Sequence, residues 1–311
     1  VFPVEDSIRR YEYVNLDEHD PEAPDSMAPF MTPLIHGAFV PVSSEGNDRA
    51  CIKHRLTDVK PKDLVMTPFI EQVMHEFVNF LFPDDPDLLP VDLEQVGDRQ
   101  NRPAQRAILE RASHEGVIPL FKSFQKKESY VKVSPPRNIT TIDGNVKLRY
   151  SAFIYALADY YKESDTTHWY AFSQDPESVA QLVCAMLGDA KTAVPSDFSK
   201  FDGTISGLMR EFEKMVLAKA FHPTVRDELL ELHGDQYNKT GLTRFSVKYD
   251  SGTSRGSGSP ETSALNTTDN AFVAYFTFRS TKINGEFMDP ETAWSKLGLY
   301  GGDDGLTADI N

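Results

Sequence analysis

The segment TAVPSDFSKFDGTISGLMREFEKM, residues 192 to 215, limits the fold more than any other stretch of the chain. A short apolar run leads into Asp197, after which Ile205, Leu208, Met209, Phe212, Met215 and Val216 recur at the spacing of a helix buried on one side. A strand, a turn carrying carboxylates and a helix in that order require mixed α/β architecture, with Asp197 at the strand end and Asp202 at the helix entry. Near residue 300, LGLYGGDDGLTADI reads as two short strands joined by the turn Gly302-Asp303-Asp304. Adjacent carboxylates at such a turn repel each other unless a cation or strong donors lie between them.

Between and before these segments the pattern is largely helical. Val65, Phe69, Val73, Phe77 and Phe80 form a stripe through VMTPFIEQVMHEFVNFLF, which PDDPDLLP terminates. Further helices are predicted over about 103 to 112, 148 to 162 and 177 to 188. In FKSFQKKESYVKVSPPRNITTI, the residues Tyr130, Val131, Val133, Ile139 and Thr141 favour extended structure, and Pro135-Pro136 separates two limbs. A hairpin is expected around 245 to 250. After the loop SGTSRGSGS, Ser259 suits an N-cap and Pro260 a first helical turn, so a helix should run through ETSALNTTDNAFVAYFTF. Thr262, Asn266 and Asn270 share one face of it, which points either to a hydrogen-bonded core network or to a site. DPETAWSKLG reads as a further helix. The first sixty residues, rich in Pro and Asp with weak periodicity, read as an extended arm or irregular packing layer.

With 311 residues, 40 % of them hydrophobic, the chain can bury one large domain or two intimately packed subdomains. Its net charge of -15 argues against a generic polyanion binder. The average hides a local reversal, because residues 120 to 150 carry Lys122, Lys126, Lys127, Lys132, Arg137, Lys147 and Arg149 against Glu128 and Asp143. Such a strip is either a focused anion channel or a solvated surface. Cys51 and Cys184 lie far apart and suggest neither a disulfide framework nor a zinc site; buried inert thiols are the simple expectation. No uncharged apolar run is long enough to span a membrane.

In chain order the sequence supplies Lys126-x-Glu128 and Arg137-x-Ile139, then Asp197-x4-Asp202, then Ser257-Gly258-x3-Thr262-x3-Asn266, then Gly302-Asp303-Asp304. This order resembles motifs F, A, B and C of the RNA-dependent RNA polymerases of positive-strand RNA viruses. The phrases DFSKFDG, SGSPETSALN and YGGDDG resemble nodavirus replicases, and among them the insect-infecting branch.

The resemblance implies a right-hand polymerase of α/β (α+β) class. Residues 1 to 190 would form an N-terminal arm and fingers, with motif F near 121 to 142. Residues 191 to 311 would form a palm with an antiparallel sheet, interrupted by a fingers insertion near 221 to 250. It implies that Asp197 and Asp303, with Asp304 as a weaker ligand, hold two Mg2+ ions, for which Mn2+ can substitute, during attack of an RNA 3′-hydroxyl on an NTP. Arg137, with Lys126 or Lys132, would grip the triphosphate. Asp202 and Asn266 would read the ribose 2′-hydroxyl, supported by Ser257, Gly258 and Thr262, while Lys122 and Lys127 would contact RNA. The implied partners are viral RNA template, nascent RNA, NTPs and further copies of the replicase, at the cytosolic face of the mitochondrial outer membrane through segments outside these residues. The chain reads as a piece of a longer polypeptide that lacks its thumb and a motif D lysine, and is expected to be inactive alone. Two rivals stay open at this point: a reverse-transcribing or other template-directed polymerase, and a non-enzymatic RNA-binding assembly module.

Overall fold

The computed structural model describes residues 27–29, 39–59, 61, 64–100, 103–112, 120–130, 132–172, 174–188 and 190–308. Of the expected N-terminal arm, residues 1–26, 30–38 and 60 lie outside this set. Within it, β1 (Met27–Pro29) pairs antiparallel with β2 (Phe39–Pro41), and α1 (Glu45–Arg55) follows. Residues 45–55 are therefore a regular helix rather than an irregular layer, begun by Ser44 Oγ accepting from the Asn47 N–H at 3.1 Å. The apolar pattern is weak because its buried face includes Asn47 and Asp48 beside Ala50, Cys51 and Ile52.

Helix α2 (Pro68–Leu81) starts later than its apolar stripe. Thr67 caps it and Pro68, lacking an N–H, fits only the first turn, so Val65 stays outside at 78 % exposure. Then come α3 (Leu93–Arg99), α4 (Pro103–Ala112), β3 (Phe121–Gln125), β4 (Asn138–Thr141), α5 (Gly144–Glu163) and α6 (Pro176–Leu187). Next, β5 (Ala193–Asp197) leads through a single helical turn, α7 (Phe201–Thr204), into α8 (Gly207–Ala220). The helix expected to begin just after Gly203 thus starts only at Gly207, behind a separate turn, because Ser206 caps α8 through the Met209 N–H at 3.3 Å and leaves Ile205 extended. The chain continues through α9 (Pro223–Gly234), the hairpin β6 (Thr240–Thr243) and β7 (Lys248–Asp250), and α10 (Thr262–Ser280). A hairpin of β8 (Lys282–Ile283) and β9 (Glu286–Phe287) follows, then α11 (Pro290–Ser295), β10 (Leu299–Gly301) and β11 (Asp304–Ala308).

The core lies where α2, α5, α8, α10 and α11 meet. Phe77 on α2 contacts the rings of Phe212, Phe272, Tyr275 and Trp294 at centroid distances of 5.1 to 5.6 Å. Burial of these aromatics from several elements supplies the non-directional attraction that holds the layers together. Helix α10 is buried nearly all round, so it serves as a central post. Against its first half stands an antiparallel sheet of order β10-β11-β5, and a second sheet of order β4-β3-β6-β7 lies toward α1. Among the described residues no helix is long and apolar enough to cross a membrane. Cys51 is buried, and burial with the Asp48 charge pushes its thiol up to about 12; Cys184 is exposed, contrary to the expectation for both.

Candidate active site

The antiparallel register places Asp304 of β11 opposite Asp197 of β5, and the turn between β10 and β11 adds Asp303. Gly302 makes that turn possible with φ of +69°, a region that side chains disfavour. Helix α10 holds the turn from behind: Asn270 Nδ2 donates to the carbonyls of Gly302 at 3.1 Å and Asp304 at 3.0 Å, and the Gly302 N–H donates to Thr267 Oγ1 at 2.9 Å. All three carboxylates are exposed, and among the described residues none of them is in an ion pair. Burial raises the Asp304 pKa, and the charges of Asp303 and Asp197 raise it further. Uncompensated carboxylates of this kind suit a hard divalent cation. The strand register and the turn make these three carboxylates neighbours, although among the described residues no three His, Cys, Asp or Glu are grouped closely enough to hold a metal ion.

Asp202, at the second residue of α7, faces the first half of α10. Asn266 Nδ2 donates to Asp202 Oδ1 at 2.8 Å, and the Asn266 carbonyl oxygen accepts from Arg255 Nε at 2.5 Å. Burial raises the Asp202 pKa and the Asp303 charge adds to that, while Asn266, Arg255 and Arg137 act in the opposite direction. The remaining members of the polar row on α10 divide their work. Asn270 serves the acidic turn, whereas Thr262 Oγ1 donates locally to the carbonyls of Gly256 at 3.2 Å and Ser259 at 3.0 Å. The helix itself starts two residues later than Ser259 and Pro260 suggest. The Ser259 hydroxyl is drawn to Gln236 Oε1 at 2.8 Å, and Glu261 becomes the N-cap with its side chain buried.

Ser257 and Gly258 lie against β4. Ser257 Oγ donates to the Asn138 carbonyl at 2.9 Å and accepts from the Thr140 N–H at 3.2 Å. A Cβ at Gly258 would sit 2.1 Å from the Thr140 carbonyl oxygen, so only glycine allows this approach. The loop before α10 is thereby pinned to the basic hairpin. Within that hairpin Glu128 collects the cations: Lys126 Nζ lies 2.8 Å and Arg137 Nε 3.7 Å from its carboxylate, and Tyr130 donates to it at 2.8 Å. Those contacts outweigh burial and hold the Glu128 carboxyl below its usual range. Lys122 and Lys132 are exposed, and Lys127 lines a cavity of about 380 Å³ with Ser43, Asp48, Phe124, Gln125 and Arg244. The basic strip is therefore divided, since Arg149 pairs with Glu228 at 2.6 Å.

A set of charges beneath Asn266 escapes motif reading. Arg255, with a side chain fully buried, bonds Asn266, Glu261, Glu213 and Asp269. Arg210 meets Glu213 at 2.9 Å and Glu261 at 2.8 Å, and His233 Nε2 lies 2.7 Å from Glu213. Burial works against the Arg255 charge, but the carboxylates of Glu213, Glu261, Asp269 and Asp202 outweigh it and raise its pKa well above the usual value. Asp269 moves the other way from its neighbours, pushed well up by burial and by the Glu213 charge. Arg210 and Glu213 sit three apart beside the apolar stripe of α8, which is the sequence signal for a buried pair.

A mixed α/β domain that sets an aspartate-ended strand against a Gly-Asp-Asp hairpin is polymerase-like. The chain is similar to the RNA-directed RNA polymerases of Atlantic halibut nervous necrosis virus and striped jack nervous necrosis virus, at 34 % identity over 281 residues, which is 88 % of this chain and 28 % of each relative. It is 32 % identical to the RNA-directed RNA polymerase of Flock house virus over 274 residues, 83 % of this chain and 26 % of that protein. No family model matches. The chain is thus a homologue of one stretch of nodavirus RNA-directed RNA polymerases, and the matched stretch spans little more than a quarter of their length. Identities this close do not single out the insect-infecting branch.

Proposed function

We propose that the chain carries the nucleotidyl-transfer centre of a nodavirus replicase, an RNA-directed RNA polymerase that copies viral RNA from NTPs. The observation that carries this is the register that sets Asp304 opposite Asp197 with Asp303 in the adjoining turn, close enough to Asp202 that the Asp303 charge raises the Asp202 pKa. Asp197 and Asp303, with Asp304 beside them, are the donors that would hold Mg2+, or Mn2+ in its place. Bound there, the metal supplies charge neutralisation to an in-line displacement at an α-phosphate.

The other roles belong to the chain's own side chains. Arg137, held at Glu128 with Lys126, offers a guanidinium suited to triphosphate oxygens, with Lys132 exposed nearby in sequence. Asp202 uses Oδ1 for Asn266, which leaves Oδ2 to accept from a sugar 2′-hydroxyl. Ser257, Gly258 and Thr262 shape the loop that carries Arg255 and leads into α10, and Lys122 and Lys127 would meet RNA. In this reading the segments up to 190 and near 221 to 250 are fingers, and the rest is palm. Placement in the insect-infecting branch rests on the motif phrases, and oligomers at the mitochondrial outer membrane rest on the resemblance; co-sedimentation of the full-length protein with mitochondria tests the latter.

The assay is extension of a primed RNA template by the full-length enzyme with NTPs or dNTPs. Asp202→Ala and Asn266→Ala should each reduce the preference for NTPs by roughly tenfold or more, because a site built to bond a hydroxyl loses that bond. An unchanged preference would sink the assignment of the pair. Equal use of dNTPs by the unaltered enzyme would favour a reverse-transcribing polymerase instead.

A further inference from the structure

The pair assigned to the sugar is held by a residue that cannot touch the nucleotide. Arg255 is fixed to the pair twice. Its backbone N–H donates to the Asp202 carbonyl at 2.8 Å, and its Nε donates to Asn266 Oδ1 at 2.5 Å. The rest of the guanidinium is occupied on its inner side, with Nη1 donating to Glu261 at 2.6 Å and Nη2 to Asp269 at 2.8 Å and to Glu213. Arg255, Glu213, Glu261 and Asp269 are buried, Asn266 is only 5 % exposed, and Asp202 is half-buried.

An amide has two nearly isosteric ends, one donor and one acceptor. Placed between a carboxylate and water, Asn266 would already turn its NH2 end to the carboxylate, but that single contact would be all that holds it there. Between Asp202 and Arg255 it has a single acceptable orientation. A flip would set NH2 against the guanidinium and the carbonyl oxygen against the carboxylate, giving two repulsive contacts in a poorly solvated place. The cation therefore adds the second contact that fixes the NH2 end of Asn266 on Asp202.

We infer that Arg255 is a positioning residue for ribose discrimination, acting through the orientation of Asn266 rather than by contact with substrate. The inference rests on the reading of Asp202 and Asn266 as the sugar-facing pair. Lysine is the informative replacement, because it keeps the charge but loses the planar fork that serves Asn266 and three carboxylates together.

The test measures kcat/KM for each NTP and its dNTP with the full-length enzyme on a primed RNA template. Arg255→Lys should lower the NTP over dNTP ratio roughly tenfold, and in an Asn266→Ala background should lower it no further. Loss of rate that falls equally on NTP and dNTP, leaving the ratio unchanged, would overturn the inference and mark Arg255 as merely structural. Should Arg255→Lys fail to fold, the charge-balanced pair Arg255→Met with Glu261→Gln supplies the same comparison. A normal ratio in that variant would overturn the inference too. Asn266→Ala alone separates the two levels: if it leaves the ratio intact, the sugar-facing pair is wrong, whereas an effect of Asn266→Ala without one of Arg255→Lys removes only the role of Arg255.

Discussion

Helix α10 connects two groups of acidic side chains whose surroundings differ sharply. Below Asn266, Glu213, Glu261 and Asp269 are buried and bonded to Arg210, Arg255 and His233. At the β10–β11 turn, Asp197, Asp303 and Asp304 are exposed and, among the described residues, form no ion pair. Within the buried set Arg210 and Arg255 outweigh burial to hold the Glu213 and Glu261 carboxyls down, although Asp269 is pushed up, while at the turn burial and its acidic neighbours push Asp304 up. Removing ions from water is expensive, so the buried set persists only because each charge has partners with good geometry. The exposed set is spared that penalty and keeps its lone pairs available. Charges that are paired inside fix geometry; charges left unpaired at the surface are the ones able to bind something.

The largest expected break in this comparison is Asp303→Asn in the full-length enzyme. It should reduce NTP incorporation on the order of ten-thousandfold, measured by single-nucleotide extension, while leaving the thermal midpoint unchanged or slightly higher. Glu213→Ala should act in the opposite fashion. It leaves two buried guanidinium groups to share Glu261 and removes the partner of His233, and should lower unfolding free energy by about 3 kcal/mol, read from denaturant titration followed by tryptophan fluorescence. Equal damage to stability from the two variants would erase the distinction between the sets.

The smallest effect concerns Asp304 and pH. Its carboxyl is raised in the folded protein, so the folded state binds the proton more tightly than the unfolded one. That contribution to stability is complete below the ordinary carboxylate range and is lost as pH rises through the elevated value. Asp304→Asn should therefore be slightly more stable than the parent at neutral pH, by less than about 0.5 kcal/mol at this exposed site, with the difference fading below about pH 4. Thermal melts across pH check it. A stabilising effect that persists in acid would point to packing rather than charge.

Much of the local structure is legible in the residues. Pro and Asp mark the start of α6 and α11, whose N-caps Asp175 and Asp289 accept from their first turns, and the Gly-Asp-Asp turn joins two strands as its glycines suggest. Even the missed hairpin of β8 and β9 had its signal in Asn284-Gly285, both at positive φ. Some element starts moved through local caps, as at Thr67 and Ser206, and others through long-range partners. Ser259 donates its hydroxyl to Gln236 and accepts only a long bond from the Glu261 N–H at 3.4 Å, and the regular helix begins at Thr262. Helix α1 was invisible because two of its buried residues are polar, and Asp48 spends its carboxylate on Gln125 at 2.6 Å and on the Phe245 N–H at 3.2 Å.

By itself the sequence determined the order of strand, acidic turn and helix around Asp197, the acidic hairpin at Asp303, and the polar face of α10, because periodicity, caps and turn residues act within a few positions of one another. Tertiary structure alone decided that Asp304 lies opposite Asp197, that Ser257 and Gly258 dock on β4, and that Arg255 stands behind Asn266. Those arrangements join residues up to 119 positions apart. They depend on which buried donor meets which acceptor once the core has closed, a match that leaves no periodic trace along the chain.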